Sequence, residues 1–174
     1  MEISETVSFE EAIAHTQAIM EQMEQGALSG SDLEQTLTQL VKTENGARGF
    51  FVTYLTDERP LADQPSPDVI QALASSPEIV SELLVKNLAM SSAMAIAHRR
   101  NDDEQMAQGS DRVRSRTTHL IQQLDAPQIA EKLQQLNESA STGQGTYRSF
   151  LERWGYDAEQ RQVISDVSQS AMPA

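Results

Sequence analysis

The stretch PEIVSELLVKNLAMSSAMAIAHRR, residues 77–100, constrains the fold more than any other part of the chain. Read as a helix, it is apolar on most of its circumference between Leu83 and Ala97, and a helix apolar all round has to be surrounded by other elements. Its small residues, Ala89, Ser91, Ser92, Ala93, Ala95 and Ala97, let neighbouring backbones come close. Glu82 and Lys86 within it argue against a membrane span, which needs about 20 predominantly apolar residues. The sequence therefore predicts an all-α, single-domain bundle over residues 1–174, with about seven to eight helices around this central one.

The start of that helix is written twice. Ser66-Pro67-Asp68-Val69 is repeated ten residues on as Ser76-Pro77-Glu78-Ile79. Serine at an N-cap accepts from a backbone N–H, and proline at the first helical position has its φ preset and gives up a donor that would be unpaired anyway. The acid that follows faces the positive end of the helix dipole. Each copy thus opens a helix, with an eight-residue helix between them. Capping accounts for every residue of both copies, so neither needs to be a phosphorylation motif.

Similar punctuation runs along the chain. Ser8 with Glu11 and Ser31 with Glu34 have capping-box spacing, and each precedes an apolar stripe at three- and four-residue steps. Gly26 ends the first of these helices. Beyond the central helix, residues 101–104 mark a turn and a further helical stripe runs from Met106 to Leu124. Asp125, Ala126 and Pro127 open another helix, and Gly155 closes a short aromatic one. Asp157 caps the last helix, whose tail is expected to fray from about residue 168. Residues 50–55, FFVTYL, are the only possible strand, but Ala47, Phe50, Phe51, Tyr54 and Leu55 recur at helical intervals and no partner strand is offered. A helix is expected there, preceded by a loop in which Gly46 and Gly49 serve a turn.

Composition narrows the function. The 26 acidic residues outnumber 13 Lys and Arg, for a net charge of −13, which repels nucleic acid and anionic lipid. Cysteine is absent, which removes disulfides and thiolate chemistry and favours a cytoplasmic setting. Neither Glu-x-x-His nor His-x-x-x-His spacing occurs, and no glycine-rich phosphate motif is found, so no metal or cofactor is implied. The chain is read as leaning away from enzymes; a general base at His98 or His119 is the one enzymatic reading kept.

Charge is also polarised. Residues 1–41 hold eight acids and no Lys or Arg, whereas residues 99–116 hold five Arg against four acids. Arg112, Arg116 and His119 fall at i, i+4 and i+7 of one helix, and Arg99 and Arg100 arrive from the helix before it. Such a face can take a phosphate, a carboxylate or an acidic partner, or be neutralised internally by the acidic N-terminal helices. The second candidate is the aromatic segment, with Tyr147, Trp154 and Tyr156 as interaction residues or as anchors of a terminal helix. These features point to a small acidic cytoplasmic protein acting as an adaptor, assembly or regulatory factor, with a protein partner and compatible with a homo-oligomer. The alternative is a helical ligand-binding or sensory domain with an anion held by the Arg/His face.

Overall fold

In the computed structural model, which describes residues 2–124 and 126–173, the chain is all-helical, with one central apolar helix as a helical bundle requires. The described residues form nine α-helices and no strand: α1 (Phe9–Glu24), α2 (Gly30–Leu40), α3 (Glu44–Thr56), α4 (Pro67–Ala74), α5 (Pro77–Arg100), α6 (Glu104–Leu124), α7 (Pro127–Thr142), α8 (Arg148–Trp154) and α9 (Ala158–Ser170). Backbone contacts group the chain into two compact units, Met1–Leu83 and Leu84–Ala174, whose boundary falls inside α5.

In the first unit the capping box of α1 forms as its spacing predicts. Ser8 Oγ accepts from the Glu11 amide (3.1 Å) while Glu11 Oε2 accepts from the Ser8 amide (3.0 Å). At the other end Gly26, at φ 66°, closes a Schellman motif in which the Ala27 amide bonds Gln22 O and the Gly26 amide bonds Met23 O. The second box does not form. Ser29, two residues earlier than Ser31, caps α2 by accepting from the Asp32 amide; Ser29-x-x-Asp32 has the same spacing, so the signal was present two residues upstream.

Residues 50–55 lie within α3, and their apolar positions Phe50, Phe51, Tyr54 and Leu55 are buried. The glycines before them are not turn residues. Thr43 caps α3, accepting from the Gly46 amide at 3.1 Å, so that both Gly46 and Gly49 are helical. A Cβ on Gly49 would lie 2.4 Å from Ala12 Cβ and 2.9 Å from Phe9 O, and one on Gly46 would lie 1.9 Å from Leu40 O. Close approach of α3 to α1 and to the end of α2, and not positive φ, is what these positions require. A 3-10 turn at Pro60–Ala62 follows, then α4, capped by Ser66 and packed on α2.

α5 starts at Pro77, and the Val80 amide bonds Ser76 O at 3.0 Å, so the second Ser-Pro stands where its sequence places it. Leu84, Val85, Leu88, Ala89 and Ala93 of α5 are buried. By length and composition alone α5 is apolar enough to cross a membrane, and 56% of its most apolar window is buried inside the protein.

The second unit continues from α5 into α6 through Asn101–Asp103, with Asp102 in the left-handed region at φ 56°, which Asp tolerates better than most residues. α7 begins at Pro127 and ends at Gly143 (φ 73°), and it packs against α9 and α8; Asp125, expected to open it, lies outside the described residues. Gly155 (φ 65°) closes α8, and Asp157 with Gln160 makes a capping box at the start of α9. The segment from residue 168, expected to fray, is helical to Ser170, with Ser168 and Ala171 buried.

Candidate functional site

The arginine segment lies wholly in the second unit, and the turn between α5 and α6 arranges most of it. Because that turn brings the end of α5 back along α6, Arg99 is placed beside acids of its own hairpin. Arg99 Nη2 lies 3.1 Å from Glu104 Oε1 and 2.7 Å from Asp111 Oδ2, and its Nε donates to Glu104 Oε2 at 3.2 Å. These carboxylates, Asp111 foremost, hold the Arg99 guanidinium well above its ordinary pKa. Arg114 Nη2 stands 3.6 Å from Asp111 as well.

Arg100 reaches the start of α9 instead. Its Nη1 and Nη2 donate to the two oxygens of Asp157, and Nη2 also donates to Glu159 at 3.2 Å. Asp157 is therefore both the cap of α9 and the counter-charge of Arg100. The Arg100 hydrogen bond first, and the Gln160 amide second, hold its carboxyl below the ordinary value of 3.8. The acids that neutralise Arg99 and Arg100 come from α6 and α9, not from the acidic N-terminal helices the charge distribution suggested.

The other members of the face are placed differently. Arg116 is buried at 2% exposure, whereas His119, one turn on, is exposed. Arg112 is half-buried, and its buried Nε has no hydrogen-bond partner among the described residues. A buried unpaired guanidinium N–H is costly and calls for an explanation. His98 is half-buried at the end of α5, where its carbonyl accepts from the Asn101 and Asp103 amides. Among the described residues no group of three or more His, Cys, Asp and Glu side chains converges as a metal would require.

The three aromatic candidates separate by burial. Tyr147 and Tyr156 are buried, and both meet Phe150 edge-on, at ring separations of 6.3 Å and 6.4 Å. Lys86 Nζ lies 5.7 Å from the Phe150 ring centre, so α5 takes part in the same cluster. Burial pushes the Tyr156 phenol up to about 12. These two tyrosines thus anchor α8 and the start of α9. Trp154 is the opposite case: it is 52% exposed at the end of α8, between exposed Arg153 and Gly155.

One feature escaped the sequence reading. A cleft of about 440 Å³ lies between the end of α7 and α9, lined by Ser141, Thr142, Gly143, Arg161 and Ser165 among others. Arg161 carried no spacing signal, because its neighbours in the cleft come from a helix some twenty residues earlier. A second cleft, of about 590 Å³, lies in the first unit between α1 and α2 and is lined mainly by Gln22, Gln35, Gln39, Thr36 and Asp32.

The chain belongs to the family described as Uncharacterised conserved protein UCP020893, whose family model matches residues 8–171. No curated protein and no solved structure matches it.

Proposed function

We propose that this family member is a cytoplasmic interaction protein, an adaptor, assembly or regulatory factor, and that Trp154 is the centre of its contact surface. The observation that carries the reading is the half-exposed indole of the chain's single tryptophan. Tryptophan is highly buried on average and is enriched among the few residues that dominate binding energy. Arg153 beside it is exposed, with no carboxylate within 4 Å among the described residues. Arg148, one turn earlier, is already engaged by Glu152 at 2.9 Å. An indole next to an uncommitted guanidinium fits a protein segment that presents an apolar side chain flanked by carboxylates.

The test is affinity capture from the native host with the wild-type chain, Trp154→Ala and Arg153→Glu. Both substitutions are at exposed positions, so melting temperature is expected to stay within the range of ordinary surface changes. A partner should be captured by wild type and reduced at least about tenfold by each variant. A synthetic peptide of the partner's acidic-apolar segment should compete for it. Undiminished capture by both variants would overturn the reading. A Trp154-dependent homodimer in sedimentation, with no other partner, would replace the foreign segment by a second copy.

A second reading, anion binding by the arginine face, is favoured by the unpartnered Nε of Arg112. It leads to saturable phosphate binding that is lost in Arg112→Gln. Phosphate titration followed by melting temperature reads this directly, and equal shifts in both proteins would remove it.

A further inference from the structure

The cleft between α7 and α9 is lined by the guanidinium-bearing Arg161. Arg161 is half-buried, and its Nε donates to the Tyr156 carbonyl at 3.1 Å, which fixes the plane of the group. Among the described residues its two Nη atoms make no hydrogen bond and have no carboxylate within 4 Å. In a chain with 26 acids this is unlike Arg59, Arg99, Arg100, Arg114 and Arg148, each of which has a carboxylate in reach. The Nη fork stands by Gly143, where a Cβ would be 3.7 Å from Nη1.

Across the cleft stands a hydroxyl with a weakly held proton. Ser165 Oγ donates to Asn137 Oδ1, so it accepts from Ser141 Oγ, which lies 3.2 Å away; Asn137 Oδ1 is 3.5 Å from Ser141. Both distances are long for an O–H donor, so a better acceptor in the cleft would draw the Ser141 proton. The Gln160 amide in the first turn of α9 is not available, because Asp157 already accepts from it. Two Nη donors in one plane and one hydroxyl match the two oxygens of a carboxylate, which guanidinium binds bidentately. The volume of about 440 Å³ is that of a small-molecule site.

We propose that this cleft binds a small carboxylate, with Arg161 as the bidentate anchor and Ser141 as the second donor. The site is separate from Trp154 and stands whether or not the interaction surface does. Asp166, which accepts from the cleft residue Gln162 at 3.0 Å, favours a singly charged carboxylate over a phosphate dianion.

The experiment is a titration of the full chain, followed by amide and arginine Nε resonances, with acetate, pyruvate and inorganic phosphate at constant ionic strength. The expected result is saturable shifts with a carboxylate at Gly143, Ser141 and Arg161, weakened at least tenfold in Arg161→Lys, which keeps charge but loses the fork. Ser141→Ala, at an exposed position, should weaken binding with folding intact, and it carries the test if the Arg161 variant fails to fold. Carboxylate shifts that do not saturate, or that persist unchanged in Ser141→Ala and Arg161→Lys, would overturn the proposal. Tighter binding of phosphate than of either carboxylate would overturn the assignment of the ligand class.

Discussion

The glycines at 46 and 49 show how much a single residue can mean two things. In the sequence they sit among polar residues and look like turn chemistry, yet in α3 they are helical and leave room for a neighbouring backbone. Gly49→Ala should therefore destabilise the protein even though alanine is the better helix former. Its methyl group would meet Ala12 Cβ at 2.4 Å and the Phe9 carbonyl at 2.9 Å, neither of which is the far end of a flexible side chain. Overpacking of this kind costs about 1–3 kcal/mol. Urea unfolding of the variant measures it, and a gain in stability would show that α1 and α3 separate freely. Serines 29 and 31 make a milder version of the same point: two residues offer one spacing, and the one that extends the helix by a residue pair takes the cap.

At the scale of an element, Asp157 holds the start of α9 in two ways. Asp157 accepts from the Gln160 amide at 3.0 Å and receives Arg100, so one carboxylate caps the helix and ties it to the end of α5. Its folded pKa lies below the ordinary 3.8. A carboxylate depressed in this way contributes stability that is fully present above its unfolded value and is lost as pH falls through the lower folded value. α9 should accordingly hold unchanged from neutrality down to about pH 4 and loosen below it. Asp157→Asn keeps a capping oxygen but not the charge, so it should show faster amide exchange along α9 at neutral pH and a flatter response to acid. Exchange in the variant equal to wild type at pH 7 would mean that Gln160, whose side chain donates to Ala93 O at 3.1 Å, holds the helix alone.

For the whole molecule, charge is the property that no local contact cancels. The ion pairs of Arg99 and Arg100 are exposed and worth little individually, while 26 acids against 13 basic residues leave a net charge of −13. Self-repulsion of that size destabilises a compact chain. Melting temperature should rise between about 10 mM and about 300 mM NaCl as the screening length shortens. A fall over the same range would mean that the surface pairs outweigh the repulsion. The same screening should weaken a contact between Arg153 and carboxylates of a partner, so fold and partner binding are expected to respond to salt in opposite directions.

The sequence by itself determined most of the elements. Helix starts at Ser8, Ser66, Ser76 and Asp157, the stops at Gly26 and Gly155, and the apolar run of α5 were all legible, because caps, prolines and periodicity act within a few residues along the chain. Tertiary structure decided everything that depends on what lies opposite. It gave Arg99 and Arg100 their acids from α6 and α9, buried Arg116 while leaving the Arg112 Nε without a partner among the described residues, and set Tyr147 and Tyr156 inside but Trp154 outside. It also placed Arg161 across a cleft from Ser141. Such relations join residues far apart along the chain, and no local spacing records them, because burial and charge pairing are properties of the packed surfaces.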